Sequence, residues 1–166
     1  MRSQTAADPR PDIPLLPGEP PEAWQYSIQL PHDPLGPRIA RSTVRVVLAE
    51  HGLADLAELA ELLTSELATN AFRYSGGPVS VRLKWRDGTL RVSVWDTSAN
   101  RPAPAVADIQ SEHGRGLLLL AACADDWGTF VMEKGYPGVG GKVVWFSLER
   151  PARSLVREGG QRIVSV

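Results

Sequence analysis

The sequence predicts an α/β fold, a two-layer sandwich in which a largely antiparallel sheet carries its helices on one face. Three observations lead there. Hydrophobic periodicity runs strand, helix, helix, strand, strand, helix, strand, strand along the chain. Two alternating segments meet at Asp87-Gly88, a turn pair that joins neighbouring strands as an antiparallel hairpin. Neither GxxxxGKS/T nor a GxGxxG after a strand occurs, which closes the P-loop and Rossmann routes to phosphate.

Each element follows from its own pattern. Pro9, Pro11, Pro14, Pro17, Pro20 and Pro21 deny residues 1–23 both helix and sheet ladders, so an extended or disordered leader is expected. The domain then spans 24–149, with a flexible tail over 150–166. Trp24, Tyr26, Ile28 and Leu30 alternate as a half-buried strand, and Pro31, Pro34 and Pro37 make the turn that follows. Arg38 to His51 carries Ile39, Thr43, Val46, Val47 and Glu50 at helical spacing and stops at Gly52, a natural C-terminal cap. A second helix opens near Asp55, runs to about Tyr74 and ends at Ser75-Gly76-Gly77, with Leu56, Leu59, Leu63 and Leu67 as its core stripe.

The hairpin sets Val79, Val81, Leu83 and Trp85 against Ser80, Arg82 and Lys84, then turns and continues from Leu90 to Asp96. Residues 97–113 lack periodicity and read as a long loop of the size kept for lids or binding. A helix over Gly116 to Ala124, a strand over Trp127 to Glu133, a glycine-rich loop over Gly135 to Gly141 and a strand over Val143 to Leu148 complete the domain.

Composition narrows the function. The 166 residues include 43% apolar ones, one domain's worth of chain with a proper core. Eighteen basic and 19 acidic residues give a net charge of -1, so nothing in the overall charge recruits nucleic acid or an anionic membrane. Cys123 is the one cysteine, which rules out an internal disulfide. The leader lacks an apolar signal region, and the longest apolar run, Leu117 to Ala124, is too short to cross a bilayer, so a soluble cytoplasmic protein is expected.

Four elements carry the chemistry. Glu66 and Asn70 lie four residues apart, one turn along one face of the second helix and at the margin of its apolar stripe. A carboxylate accepts a proton, and an amide oxygen is a hard ligand suited to Mg²⁺. Asp96 falls in strand phase with Leu90, Val92 and Val94, on the buried face, where a carboxylate needs a donor. Gly114-Arg115-Gly116 stands ahead of the Leu117 helix, where backbone N–H groups reach a phosphate at the positive end of the dipole. Gly140-Gly141-Lys142 precedes the last strand.

In this order and spacing, the four elements over roughly residues 35–149 resemble the Bergerat-fold ATP-binding domain of histidine kinases, gyrase-type ATPases and chaperone ATPases, and more narrowly the bacterial anti-sigma-factor serine kinases. The resemblance implies Glu66 as general base and Asn70 as the Mg²⁺ ligand that bridges the phosphates of ATP. It implies Arg73 facing a phosphate, Asp96 accepting from the adenine amine with Thr97 beside it, and Gly114, Arg115, Gly116 and Leu117 around the phosphates. Gly141 and Lys142 would stand near the base.

The expected activity is transfer of the γ-phosphate to a serine of an anti-anti-sigma antagonist, with a sigma factor as a further partner. The alternatives are a non-catalytic ATP-binding adaptor and a simple ATP hydrolase. Three positions depart from the pattern: no glycines follow Asp96, Val143 replaces a hydroxyl residue, and Tyr74 stands where related kinases often have a histidine. Trp95 and Trp145 point outward by strand parity, the kind of surface that serves a homodimer or partner protein.

Overall fold

The computed structural model describes residues 23–98, 112–132 and 140–150, with the side chains of 112–115 left aside. The leader and most of the tail, the 99–111 segment, and residues 133–139 of the glycine-rich loop lie outside the described residues. Eight elements follow in chain order: β1 (Ala23–Leu30), α1 (Gly36–Glu50), α2 (Ala54–Tyr74), β2 (Val79–Arg86), β3 (Thr89–Asp96), α3 (Glu112–Cys123), β4 (Asp126–Met132) and β5 (Gly141–Glu149). The strands form one sheet in the order β1-β2-β3-β5-β4. Every pairing is antiparallel. The expected α/β class and its element order hold.

Alternation builds the sheet's two faces. Val79, Val81, Leu83 and Trp85 of β2 and Leu90, Val92 and Val94 of β3 are buried, while Arg82, Lys84, Arg86 and Arg91 are exposed on the other side. Phe146, Val144 and Leu148 of β5 extend the buried face, and α2 packs across it with Leu56, Leu63 and Leu67. The β2–β3 turn needs positive φ at both residues, and has it at Asp87 (50°) and Gly88 (76°).

Helix α1 ends in a Schellman motif. Gly52 sits at φ +68°, its N–H donates to the Ala49 carbonyl, and the Leu53 N–H donates to the Leu48 carbonyl at 2.7 Å. Its buried stripe is not the one the sequence pattern predicts. Ala40, Val44 and Leu48 face the core, while Ile39 and Val46 are 48% and 58% exposed. The small side chain of Ala40 faces inward, and this rotation brings Arg41 and Arg45 over Glu61 of α2, which is only 7% exposed. Arg45 donates from Nε to Oε1 at 2.7 Å and from Nη2 to Oε2 at 2.6 Å, and Arg41 Nε donates to Oε2 at 3.2 Å.

Strand β1 is tied to the helical layer at both ends. Tyr26 and the His51 Nε2 share a 2.8 Å hydrogen bond, and Trp24 stacks on the His51 ring with centroids 4.5 Å apart. Burial pulls His51 below the ordinary imidazole value, against the opposing pull of Glu50. After the strand, His32 Nε2 donates to the Phe72 carbonyl in the last turn of α2 at 2.9 Å.

On the outer face, the two outward tryptophans are half-buried by their own sheet. The Arg91 guanidinium lies 4.1 Å from the Trp145 ring centroid, and the same ring lies so close to Gly128 that a Cβ there would be 2.8 Å from it. Among the described residues no helix is long and apolar enough to cross a membrane.

Candidate functional site

One end of the molecule gathers the residues singled out in the sequence. Helix α2 places Glu66 and Asn70 half-buried on the side that meets α3. Gly116 is what lets α3 come close. A Cβ there would stand 3.7 Å from Glu66 Oε2, an ordinary contact, but 2.8 Å from the Asn70 Nδ2, so a side chain other than hydrogen would displace the Asn70 amide. The two helices therefore bring the carboxylate, the carboxamide and bare backbone together.

The Gly-Arg-Gly run is placed differently from the sequence expectation. Helix α3 begins at Glu112, so Gly114, Arg115 and Gly116 lie within its first turns rather than ahead of it. In a helix only the first few N–H groups lack an internal acceptor. Counted from Glu112, those groups include the Gly114 N–H, which stays open to an anion, while Gly116 acts by allowing close packing. The Arg115 side chain lies outside the described residues. Leu117 is 4% exposed and its side chain belongs to the core.

The end of α2 also meets the end of β3. The Ser75 and Thr97 hydroxyls share a 3.1 Å hydrogen bond, the Gly77 N–H donates to Ser75 Oγ at 3.3 Å, and a Cβ on Gly77 would strike Thr97. Ser75 lies five residues beyond Asn70, about 7 Å along the helix, so the Asn70 turn and the Asp96 strand end are neighbours. Arg73 is exposed in the last turn of α2, where a cation also complements the helix dipole.

Asp96 is 2% exposed, on the buried face where strand parity puts it. Two donors meet it among the described residues. Ser98 N–H donates to Oδ1 at 2.8 Å, and Lys142 Nζ stands 3.3 Å from Oδ2. Lys142 is itself 8% exposed, and it lies directly opposite Asp96 in the β3–β5 register. The expectation of a loop at Gly140-Gly141-Lys142 is corrected: β5 starts at Gly141, and Lys142 is a strand residue. Gly141 makes this possible, because at φ +143° a Cβ would collide with the Asp96 carbonyl oxygen and approach Trp95 Nε1 to 2.9 Å. Burial is the larger influence on the Asp96 carboxyl and raises it above the usual range, with the Ser98 N–H and the Lys142 charge pulling the other way.

Two contacts of this site had no sequence signal strong enough to find them. The Asp96–Lys142 pair depends on the register of two strands separated by more than forty residues. The Gly116–Asn70 approach depends on how α3 lies over α2. Arg41 and Arg45 did carry a signal, two cations at helical spacing of four, but their acceptor Glu61 sits in another helix.

The donor set could serve a Mg²⁺–nucleotide. Among the described residues no group of three His, Cys, Asp or Glu side chains could hold an ion alone. Mg²⁺ is commonly held by one or two protein oxygens together with substrate phosphates, a role open to the Asn70 amide oxygen. Asp96 with Lys142 offers an acceptor beside a donor, a polar pair of the kind that orients a heterocyclic base.

Comparison with known families points to an ATP-binding domain. A family model described as "Histidine kinase-like ATPase domain" matches residues 31–148. No curated protein matches the chain.

Proposed function

The chain belongs to the histidine kinase-like ATPase domain family, a family of ATP-binding domains, and from that premise we propose that it is a regulatory serine kinase of the anti-sigma-factor type. It phosphorylates a serine of a small antagonist protein and exchanges that partner for a sigma factor according to nucleotide state. The observation that carries this reading is the meeting of Glu66 and Asn70 with Gly116, next to the strand end that holds Asp96.

Asn70 would hold Mg²⁺ through its amide oxygen, and Asp96 would accept from the adenine amine. Bound Mg²⁺–ATP supplies the transferable phosphoryl group and the cationic screening of its charge. Glu66 would take the proton of the acceptor serine hydroxyl on its carboxylate, so that the oxygen bonds to the γ-phosphorus as the bond to the bridging oxygen breaks and ADP leaves. Phosphoryl transfer asks a protein chiefly for positioning and charge stabilisation, so this small set is chemically sufficient.

A second reading, an adaptor that binds ATP and transfers nothing, draws on one observation. Both Asp96 oxygens already accept a hydrogen bond or ion pair from the chain's own groups. Incubation with γ-labelled ATP and serine-bearing antagonist proteins separates the readings. The kinase labels serine, and Glu66→Gln lowers the rate by about 100-fold or more while ATP binding stays. ATP binding without transfer to any of them supports the adaptor, and phosphate release without a protein acceptor supports a hydrolase.

A further inference from the structure

We propose that Lys142 reads the base: its ammonium donates a hydrogen bond to the ring nitrogen next to the exocyclic amine of bound adenine, while Asp96 accepts from the amine itself. This rests on the reading of the site as an adenine-nucleotide pocket.

The first support is an unfinished account of donors. The Lys142 side chain is 10% exposed and carries three N–H donors, of which the described residues engage one, at Asp96 Oδ2. A nine-tenths buried ammonium with donors to spare is costly unless an acceptor arrives. Asp96 is in the complementary position. Ionised, its two oxygens offer about four acceptor sites, and the described residues use one on each oxygen, from Ser98 and Lys142.

The second support is the match in pattern. Adenine presents its amine donor beside ring-nitrogen acceptors, so a carboxylate by itself answers only half of that edge. Asp96 and Lys142 are cross-strand partners with the carboxylate and ammonium 3.3 Å apart, an acceptor and a donor side by side. Both stand on paired strands rather than on loops, and Gly141 at φ +143° fixes how closely they approach.

The third support is the alternation of β5. Val143, where the resembling kinases have a hydroxyl residue, is the strand neighbour of Lys142 and faces the other side of the sheet, paired with Trp95 and Phe130. The donor on the base side is Lys142.

Calorimetric titration of the full chain with ATP, 1-deaza-ATP and 7-deaza-ATP tests this, in the wild type and in Lys142→Met and Lys142→Gln. The wild type binds one of the two deaza analogues about tenfold more weakly than ATP, the loss of one charge-assisted hydrogen bond. Lys142→Met binds ATP and that analogue within about twofold of each other, a change that a mere counter-ion would not cause. Lys142→Gln keeps an N–H donor without the charge and retains part of the difference. It also carries the test if Lys142→Met does not fold, since a discrimination equal to the wild type's would overturn the proposal. Equal binding of all three nucleotides by the wild type, or full discrimination in Lys142→Met, overturns it too and leaves the pocket reading standing. No binding of any nucleotide by the wild type removes the pocket reading itself.

Discussion

Glu61 and Asp96 are both buried acids, 7% and 2% exposed, and they are treated in opposite ways. Glu61 receives three donated bonds from Arg41 and Arg45, and these hold its carboxyl below the ordinary range although burial pushes it up. Asp96 receives one backbone N–H and one ammonium, and there burial wins and the carboxyl is raised. The first acid has three of about four acceptor sites taken and clamps α1 to α2. Among the described residues the second is left with acceptor capacity at the end of β3, next to a cation with donors to spare. A buried charge that the fold satisfies nearly in full reads as structure, and one that it satisfies by half reads as a candidate site.

The largest effect that sharpens this contrast comes from removing the cation of the under-satisfied pair. Lys142→Met leaves Asp96 buried without a counter-ion, and urea denaturation at neutral pH is expected to show a loss of about 3 to 5 kcal/mol. The loss shrinks in acid, because Asp96 then takes up a proton instead of holding an unpaired charge. Glu61→Gln is milder. Its arginines are more than half exposed and return to water, so the expected loss is about 1 to 2 kcal/mol.

The two acids also give opposite pH dependences. Glu61 titrates lower in the folded chain than unfolded, so its stabilisation is present above the unfolded carboxyl value and fades as pH falls through the folded one. Asp96 titrates higher when folded, so its contribution is fullest below the unfolded value and is lost as pH rises through the folded one. Urea midpoints between pH 3 and 7 should therefore fall less steeply into acid for Glu61→Gln than for the wild type, and more steeply for Asp96→Asn.

The smallest expected change in stability is at Gly116. Alanine there gains up to about 1 kcal/mol of helix propensity, but its methyl would stand 2.8 Å from Asn70 Nδ2 and displace the amide. The variant is expected to melt no lower than the wild type and to lose most of the Mg²⁺-dependent part of its ATP affinity. Equal Mg²⁺ dependence in the two proteins would detach Gly116 from the site.

Much of the fold was legible because its signals are local. The Asp87-Gly88 hairpin, the Gly52 cap and the alternation of β2 and β3 each depend on residues close in sequence. The burial of Asp96 was legible for the same reason, since strand parity assigns its face. The rotation of α1 was not. Its sequence has apolar residues on two sides, Ile39 with Val46 and Ala40 with Val44 and Leu48, and contact with α2 decides between them. The start of α3 was misplaced because glycines at 114 and 116 look like a loop, yet they lie inside the helix. The partner of Asp96 lay beyond reach, since the β3–β5 register is set by packing across the whole sheet.

On the proposed function, the acid with more acceptor sites to spare, Asp96, marks a nucleotide site and Glu61 does not. The most direct test is a calorimetric titration of Mg²⁺–ATP into the wild type, Asp96→Asn and Glu61→Gln, each shown to be folded by circular dichroism. Asp96→Asn is expected to bind about 10- to 100-fold more weakly, as the loss of a charged acceptor implies, with Glu61→Gln within about twofold of the wild type. Equal affinities in all three proteins, or a loss confined to Glu61→Gln, would contradict the account.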